Sequence, residues 1–254
     1  MLLLLACTAK EPPVSCPKGM VHIQGGAWDL GRSEDPGTYL GGWLPVYRVE
    51  LESYCIDAFP FPGRKGAPYP LDGLTWDRMI VLEEALAQHG RRPCTVSELL
   101  RAGAGPDNWR YPTHATEWQK ERCETNDLHP EPLGTYPDCK TPEGVHEFQV
   151  RSTWGTLDEP AKAAFLSRWP PEDLWFEGRA VWGGTARSDT FYAPDNSGLH
   201  FHGPGVDQFE DDNFRVCADP GKPPADAAAY TAFIDTFIEH NNYKALFSTP
   251  GSGG

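Results

Sequence analysis

Residues 92–99 read Arg-Pro-Cys-Thr-Val-Ser-Glu-Leu. Thr95-Val-Ser-Glu98 is a capping box, in which hydroxyl and carboxylate each satisfy a backbone N–H that the first helical turn leaves free. A helix therefore starts at Thr95 and runs to the breakers Gly103-Ala-Gly105-Pro106. Upstream, Thr75 opens another helix through Trp76, Met79, Ile80, Leu82, Glu83 and Leu86, with Asp77 suited to the N-terminal dipole and Gly90 as the stop. Before that come short strands. Met20–Ile23 is apolar and ends at Gly25-Gly26, and Val46–Leu51 alternates with period two. Phe59–Pro70, rich in proline and glycine, reads as a loop. From Pro106 to Cys217 the sequence reads mostly as Trp-rich loop with few periodic segments.

Composition agrees with a loop-rich, Trp-rich globular domain. The 254 residues include 26 Gly, 25 Pro and 9 Trp, and 12% are aromatic, far above what disordered chains carry. With 22 Lys and Arg against 36 Asp and Glu, the net charge is −14. No basic run is present to neutralise phosphates, which argues against nucleic acid as a partner.

Residues 1–15 read as an address and a tether. Leu2-Leu-Leu-Leu-Ala-Cys7 is too short to span a bilayer. It resembles a bacterial lipobox, in which the signal is cut before a cysteine that is then lipidated. The resemblance implies lipidation at Cys7, part of the signal lying upstream of the first Met, and an exported protein anchored in the cell envelope, facing the periplasm or on the outer membrane. The other cysteines, Cys16, Cys55, Cys94, Cys123, Cys139 and Cys217, are even in number and contain no Cys-x-x-Cys pair. In an oxidising compartment they are expected to form disulfides, with fifteen pairings open from the residues alone.

Residues 220–254 form a third segment, with a Pro- and Gly-rich linker, a helix over 227–247 and a polar tail. Tyr230, Phe233, Ile234, Phe237 and Ile238 make one helical stripe. Its first reading is packing on its own domain, with a partner-binding or membrane-surface helix as alternatives.

The order of motifs over residues 16–219 resembles the formylglycine-generating enzyme (sulfatase-modifying factor) family. Cys16-Pro-Lys-Gly-Met-Val, Gly25-Gly26 and Tyr54-Cys-Ile-Asp57 are similar to its opening strands, and Leu74-Thr-Trp-Asp77 to its first helix start. Arg92–Leu99, Trp109-Arg-Tyr-Pro112, Pro132-Leu-Gly-Thr-Tyr-Pro137 and Gly144-Val-His-Glu-Phe148 follow in family order. Trp182-Gly-Gly-Thr185 and Asn213-Phe-Arg-Val-Cys217 close the series.

This resemblance implies a C-type-lectin-like α+β fold, a small twisted antiparallel sheet with two flanking helices and loops held by disulfides. It also implies the pairing Cys16–Cys55, Cys94–Cys217 and Cys123–Cys139.

The departures bear on function. Active family members bind copper(I) through two cysteines beyond "R-G-G-S-W", because soft thiolates suit that ion. Residues 182–216 contain no cysteine, and Val181 and Ala186 flank the motif. No copper is therefore expected. The resemblance implies calcium as a cofactor, through Glu147 and a cluster of Glu124, Asn126, Asp127 and Asp138, all oxygen ligands.

The leading expectation is a non-catalytic recognition or scaffold lipoprotein with a protein or small-molecule partner. Its ligand surface would lie in 182–212, with Trp182, Arg187, Asp189, Tyr192, His200 and His202 as ligand-binding residues. At least three of Trp182, Phe191, Tyr192, His200, Phe201, His202 and Phe209 should be exposed around one concavity. The alternative is a metal-dependent oxidoreductase or formylglycine-generating-type enzyme using the same groove, with His200 and His202 alternating toward one side. No nucleophile elbow, phosphate loop or dinucleotide fingerprint occurs.

Overall fold

The computed structural model describes residues 15–31, 44–67, 76–109, 111–115, 122–123, 132–148, 153–167, 179–182, 199–200, 213–222 and 227–240. Among these, Met20–Ile23 (β1), Tyr54–Asp57 (β4), Val216–Ala218 (β10) and Arg92–Pro93 (β5) form a four-stranded sheet, order β1-β4-β10-β5, with every pair antiparallel. Gly26–Leu30 (β2) and Tyr47–Leu51 (β3) pair as an antiparallel ribbon. The alternation of Val46–Leu51 appears as expected, with Val49 buried and Arg48 and Glu50 exposed.

Helix Trp76–Ala87 (α1) ends where Gly90 adopts φ +64°, and the Arg91 N–H returns to the Leu86 carbonyl at 3.0 Å. Helix Val96–Ala104 (α2) carries the expected capping box. Glu98 N–H donates to Thr95 Oγ1 (3.2 Å), and Thr95 N–H donates to Glu98 Oε2 (2.7 Å). The Arg92 guanidinium adds a two-pronged ion pair to the Glu98 carboxylate, at 2.6 and 2.7 Å. Every residue of α2 is buried, and Leu99 and Leu100 sit in the main core with Ile23, Leu30, Val49, Tyr54, Ile56 and Phe165.

The region expected to be mostly loop holds more structure than its sequence suggests. Thr153–Thr156 (β6), Arg179–Trp182 (β7), Leu199–His200 (β8) and Asn213–Phe214 (β9) form a second four-stranded sheet, order β8-β7-β6-β9. Its β6–β9 pair is parallel and the others antiparallel. Helix Glu159–Leu166 (α3) follows β6, capped by Asp158 with Pro160 in its first turn. β6 lies so close to α2 that a side chain at Gly155 would place Cβ 2.8 Å from the Leu99 methyl. A fourth helix, Ala227–His240 (α4), begins at the expected residue, and 241–254 lie outside the described residues. The fold is thus α+β with small, largely antiparallel sheets, and among the described residues α3 is a helix beyond the three expected.

All three implied disulfides are present: Cys16–Cys55, Cys94–Cys217 and Cys123–Cys139. Cys94 is a junction between the sheets. Its N–H donates to the Arg215 carbonyl (3.1 Å), its carbonyl accepts from Thr156 N–H (3.0 Å), and its sulfur bonds the closing strand β10.

Candidate functional site

The ligand surface expected over 182–212 falls largely outside the described residues, including Arg187, Asp189, Tyr192 and His202. Trp182 and His200 are described by backbone alone. They lie one register step apart on β7 and β8, where Val181 pairs with His200 and Trp182 with Leu199. Cys7 also lies outside the described residues, as do Glu124, Asn126 and Asp127. Among the described residues no three His, Cys, Asp or Glu side chains come together as a metal-holding group. No described helix is long and apolar enough to cross a membrane.

The structure gathers charge in a different place, at the junction of β4, β10 and the 139–148 segment. Arg215, immediately before β10, has no solvent exposure. Its Nη1 donates to the Asp57 carbonyl at 3.2 Å and its Nη2 to the His146 carbonyl. The guanidinium plane lies 4.2 Å from the Phe148 ring centre. One planar cation thus ties the end of β4 to the loop carrying Val145–Phe148, a geometry that suits arginine and not lysine.

Asp57, the last residue of β4, is buried beside this cation. Gly63 (φ +77°) packs onto its carboxylate so closely that a Cβ there would lie 2.6 Å from Oδ2. Among the described residues Oδ2 has no hydrogen-bond donor. Burial pushes the Asp57 carboxyl up to about 7, even though the positive charges of Arg91 and Arg215 pull it down. Arg91, also buried, donates through Nη1 to the Met20 sulfur and lies 4.8 Å from the Tyr230 ring centre on α4.

Of the calcium candidates, Asp138 is exposed and accepts from Arg122 Nη2 through its carbonyl at 3.0 Å, and Glu147 is buried. It takes φ +58°, unusual for a side chain of its size. Its Oε1 accepts the Gly134 N–H at 2.6 Å, while among the described residues buried Oε2 has no donor. Burial raises its pKa, opposed by the Gly134 N–H and by Arg215. A carboxylate so placed pins the 132–137 loop to the Arg215 centre. His146 next to it stacks on Phe59, ring centres 4.5 Å apart. Burial lowers the imidazole pKa to about 4, helped by the charges of Lys140, Arg215 and Lys65.

A second polar group lies beyond α2. Arg101 Nη1 donates to Glu143 Oε1 (3.3 Å), and its guanidinium covers the Trp28 ring at 4.4 Å. His114 Nε2 stands 4.0 Å from Glu143 Oε2, its ring stacked with Trp109. Burial lowers the His114 pKa, against the raising charges of Glu143 and Asp107. Asn108 and His114 both have positive φ, which holds this loop in a tight, side-chain-bearing turn. The pairing of Arg101, Glu143 and His114 left no signal in the sequence, because the three lie on separate segments with no shared motif. Arg215 and Asp57 belong to quoted motifs, but nothing in those motifs indicates a contact between them.

Neither group sets a nucleophile beside a base. The first anchors backbone through Arg215 and Glu147, and the second pairs charged side chains through Arg101 and Glu143. Neither a scan against protein-family models nor a search of characterised proteins returns a match to this chain.

Proposed function

We propose that this protein is a non-catalytic, sulfatase-modifying-factor-like lipoprotein of the bacterial envelope, a frame that presents variable loops to a partner. The observation carrying this reading is the state of the cysteines. All six between residues 16 and 217 are joined in disulfides, so this span offers no thiolate pair to copper. Disulfides on this scale also suit an oxidising compartment, consistent with lipidation at Cys7.

The buried charges support the same reading. Arg215 engages backbone carbonyls and Glu147 a backbone N–H, so both hold loops in place instead of facing a substrate. The recognition surface would be 182–212, with Trp182 and His200 at the ends of β7 and β8.

The test is incubation of the full chain with copper and a sulfatase-motif peptide, followed by mass spectrometry. No formylglycine above background is expected, and its formation overturns the proposal. Metal analysis of protein purified without chelator addresses the enzyme alternative. Stoichiometric iron, copper or zinc that is lost on His200→Ala with His202→Ala would favour catalysis.

A further inference from the structure

Three segments converge beneath helix α4. The start of β1 brings Met20, the loop after β4 brings Arg64, and the turn between α1 and β5 brings His89 and Arg91. Arg91 is buried, donates through Nη1 to the Met20 sulfur and has its guanidinium carbon 4.8 Å from the Tyr230 ring centre. The His89 ring meets Tyr230 edge-on and Phe233 in a stack, with centres 5.5 Å apart in both cases. Ile234 is buried, and Asp235 pairs with Arg64 at 2.5 Å. Thr231 and Ala232, between these contacts in sequence, are exposed, so one face of α4 makes the contact.

The backbone of this floor is held by bonds within the domain. His89 and Arg91 N–H both return to the Leu86 carbonyl (2.9 and 3.0 Å), Gly66 N–H donates to the Leu133 carbonyl (2.7 Å), and Met20 pairs with Asp57 across β1 and β4. Gly221 N–H donates to the Ser15 carbonyl at 3.1 Å, which fixes the root of the connection between β10 and α4. In a chain of net charge −14, the floor sets Arg64 and Arg91 against the helix.

We propose that this floor is a docking groove for an acidic, aromatic helix of another protein, and that α4 is its resident occupant, which leaves before the partner binds.

The physical basis is competition. A helix on a short connection competes at a roughly millimolar effective concentration. A partner that binds only the open groove has its affinity reduced by the open fraction, so weakening α4 strengthens partner binding by the same factor. Charge sets the partner's class. Arg64 and Arg91 favour a segment that brings a carboxylate beside its aromatic stripe, as Asp235 does beside Tyr230 and Phe233, and disfavour a basic one. The groove is separate from residues 182–212, and its use requires neither lipidation at Cys7 nor a loss of catalysis.

The test measures binding of a fluorescein-labelled synthetic peptide of residues 225–242 to the full, disulfide-intact chain by anisotropy. The chain carrying Tyr230→Ala and Phe233→Ala, which loosen the resident helix, should bind the peptide at least about tenfold more tightly than wild type. Adding Arg64→Glu to that chain should weaken binding about fivefold, the upper end for an exposed ion pair, and a peptide with Asp235→Arg should recover it. Equal binding to wild type and the loosened chain overturns the proposal, as does a loss at Arg64→Glu that the reversed peptide fails to recover. A wild-type dimer that dissociates on Tyr230→Ala with Phe233→Ala assigns the groove to α4 of a second copy and overturns it as well. Hydrogen exchange of the wild-type chain supplies a reading independent of how the variants fold. The α4 amides should exchange at least about a hundredfold faster than those of α2, whose residues are all buried, and equal protection of the two helices overturns the proposal.

Discussion

Replacing Arg215 with Met removes the charge while retaining most of the stem volume. Two buried acceptors, the Asp57 and His146 carbonyls, lose their donors. A charge-assisted hydrogen bond is worth roughly 1.5–3 kcal/mol, and the carbonyls remain buried in the variant. The Phe148 stack at 4.2 Å contributes about 0.5–2 kcal/mol more. Swapping a buried ion pair for apolar groups can be neutral when both partners leave, but here the acceptors are backbone and cannot leave. The expected cost is about 3–5 kcal/mol, a fall in Tm on the order of 10 °C for a domain of this size. Arg215→Lys should fall between the two proteins, because a lysine keeps the charge without the fork. The assay is guanidinium denaturation at pH 7 with the disulfides intact, checked by circular dichroism for a native-like baseline. An Arg215→Met protein within about 1 kcal/mol of wild type would refute the reasoning, since the two carbonyls would then have found other donors at little cost.

Non-reducing peptide mapping should recover Cys16–Cys55, Cys94–Cys217 and Cys123–Cys139. Opening Cys123–Cys139, which closes 16 residues, should cost about 3 kcal/mol, and opening Cys94–Cys217, which closes 123, about 5 kcal/mol, by unfolded-chain entropy. Equal midpoints for the two serine double mutants would contradict that ordering. Asp158→Ala should lose about 2–3 kcal/mol in the same denaturation assay. Its carboxylate caps α3 at Ala161 N–H (3.2 Å) and accepts from both Ser97 N–H (2.8 Å) and Ser97 Oγ (2.6 Å), and Ser97 is fully buried. The His146 pKa is lowered from 6.5 to about 4, so its neutral form stabilises the fold above 6.5, and that contribution is lost as pH falls toward 4. Measured as stability against pH, His146→Phe should keep the Phe59 stack and flatten this acid limb, whereas an unchanged slope would place the proton elsewhere.

The sequence by itself determined the local events. The capping box at Thr95 and Glu98, the stop at Gly90, the alternation at Val46–Leu51 and the start of α4 all depend on residues within one or two turns of each other. Such patterns survive in a linear reading. α3 was legible in principle, since Asp158 and Pro160 mark its start and Ala161, Ala164 and Phe165 its buried face. At eight residues, its periodicity was too short to stand out within a Trp-rich stretch. The cysteine count announced disulfides, but the residues alone left fifteen pairings open. Tertiary structure decided the rest. Whether a buried arginine finds carbonyls, and whether an aspartate 158 positions away finds that arginine, depends on which segments the sheet brings side by side. Strand order β1-β4-β10-β5 does this for Asp57, Arg91 and Arg215, and the approach of α2 to the 141–145 turn does it for Arg101 and Glu143. Long-range pairing leaves no periodic trace, because its energy comes from desolvation and geometry at a contact between residues that share no local pattern.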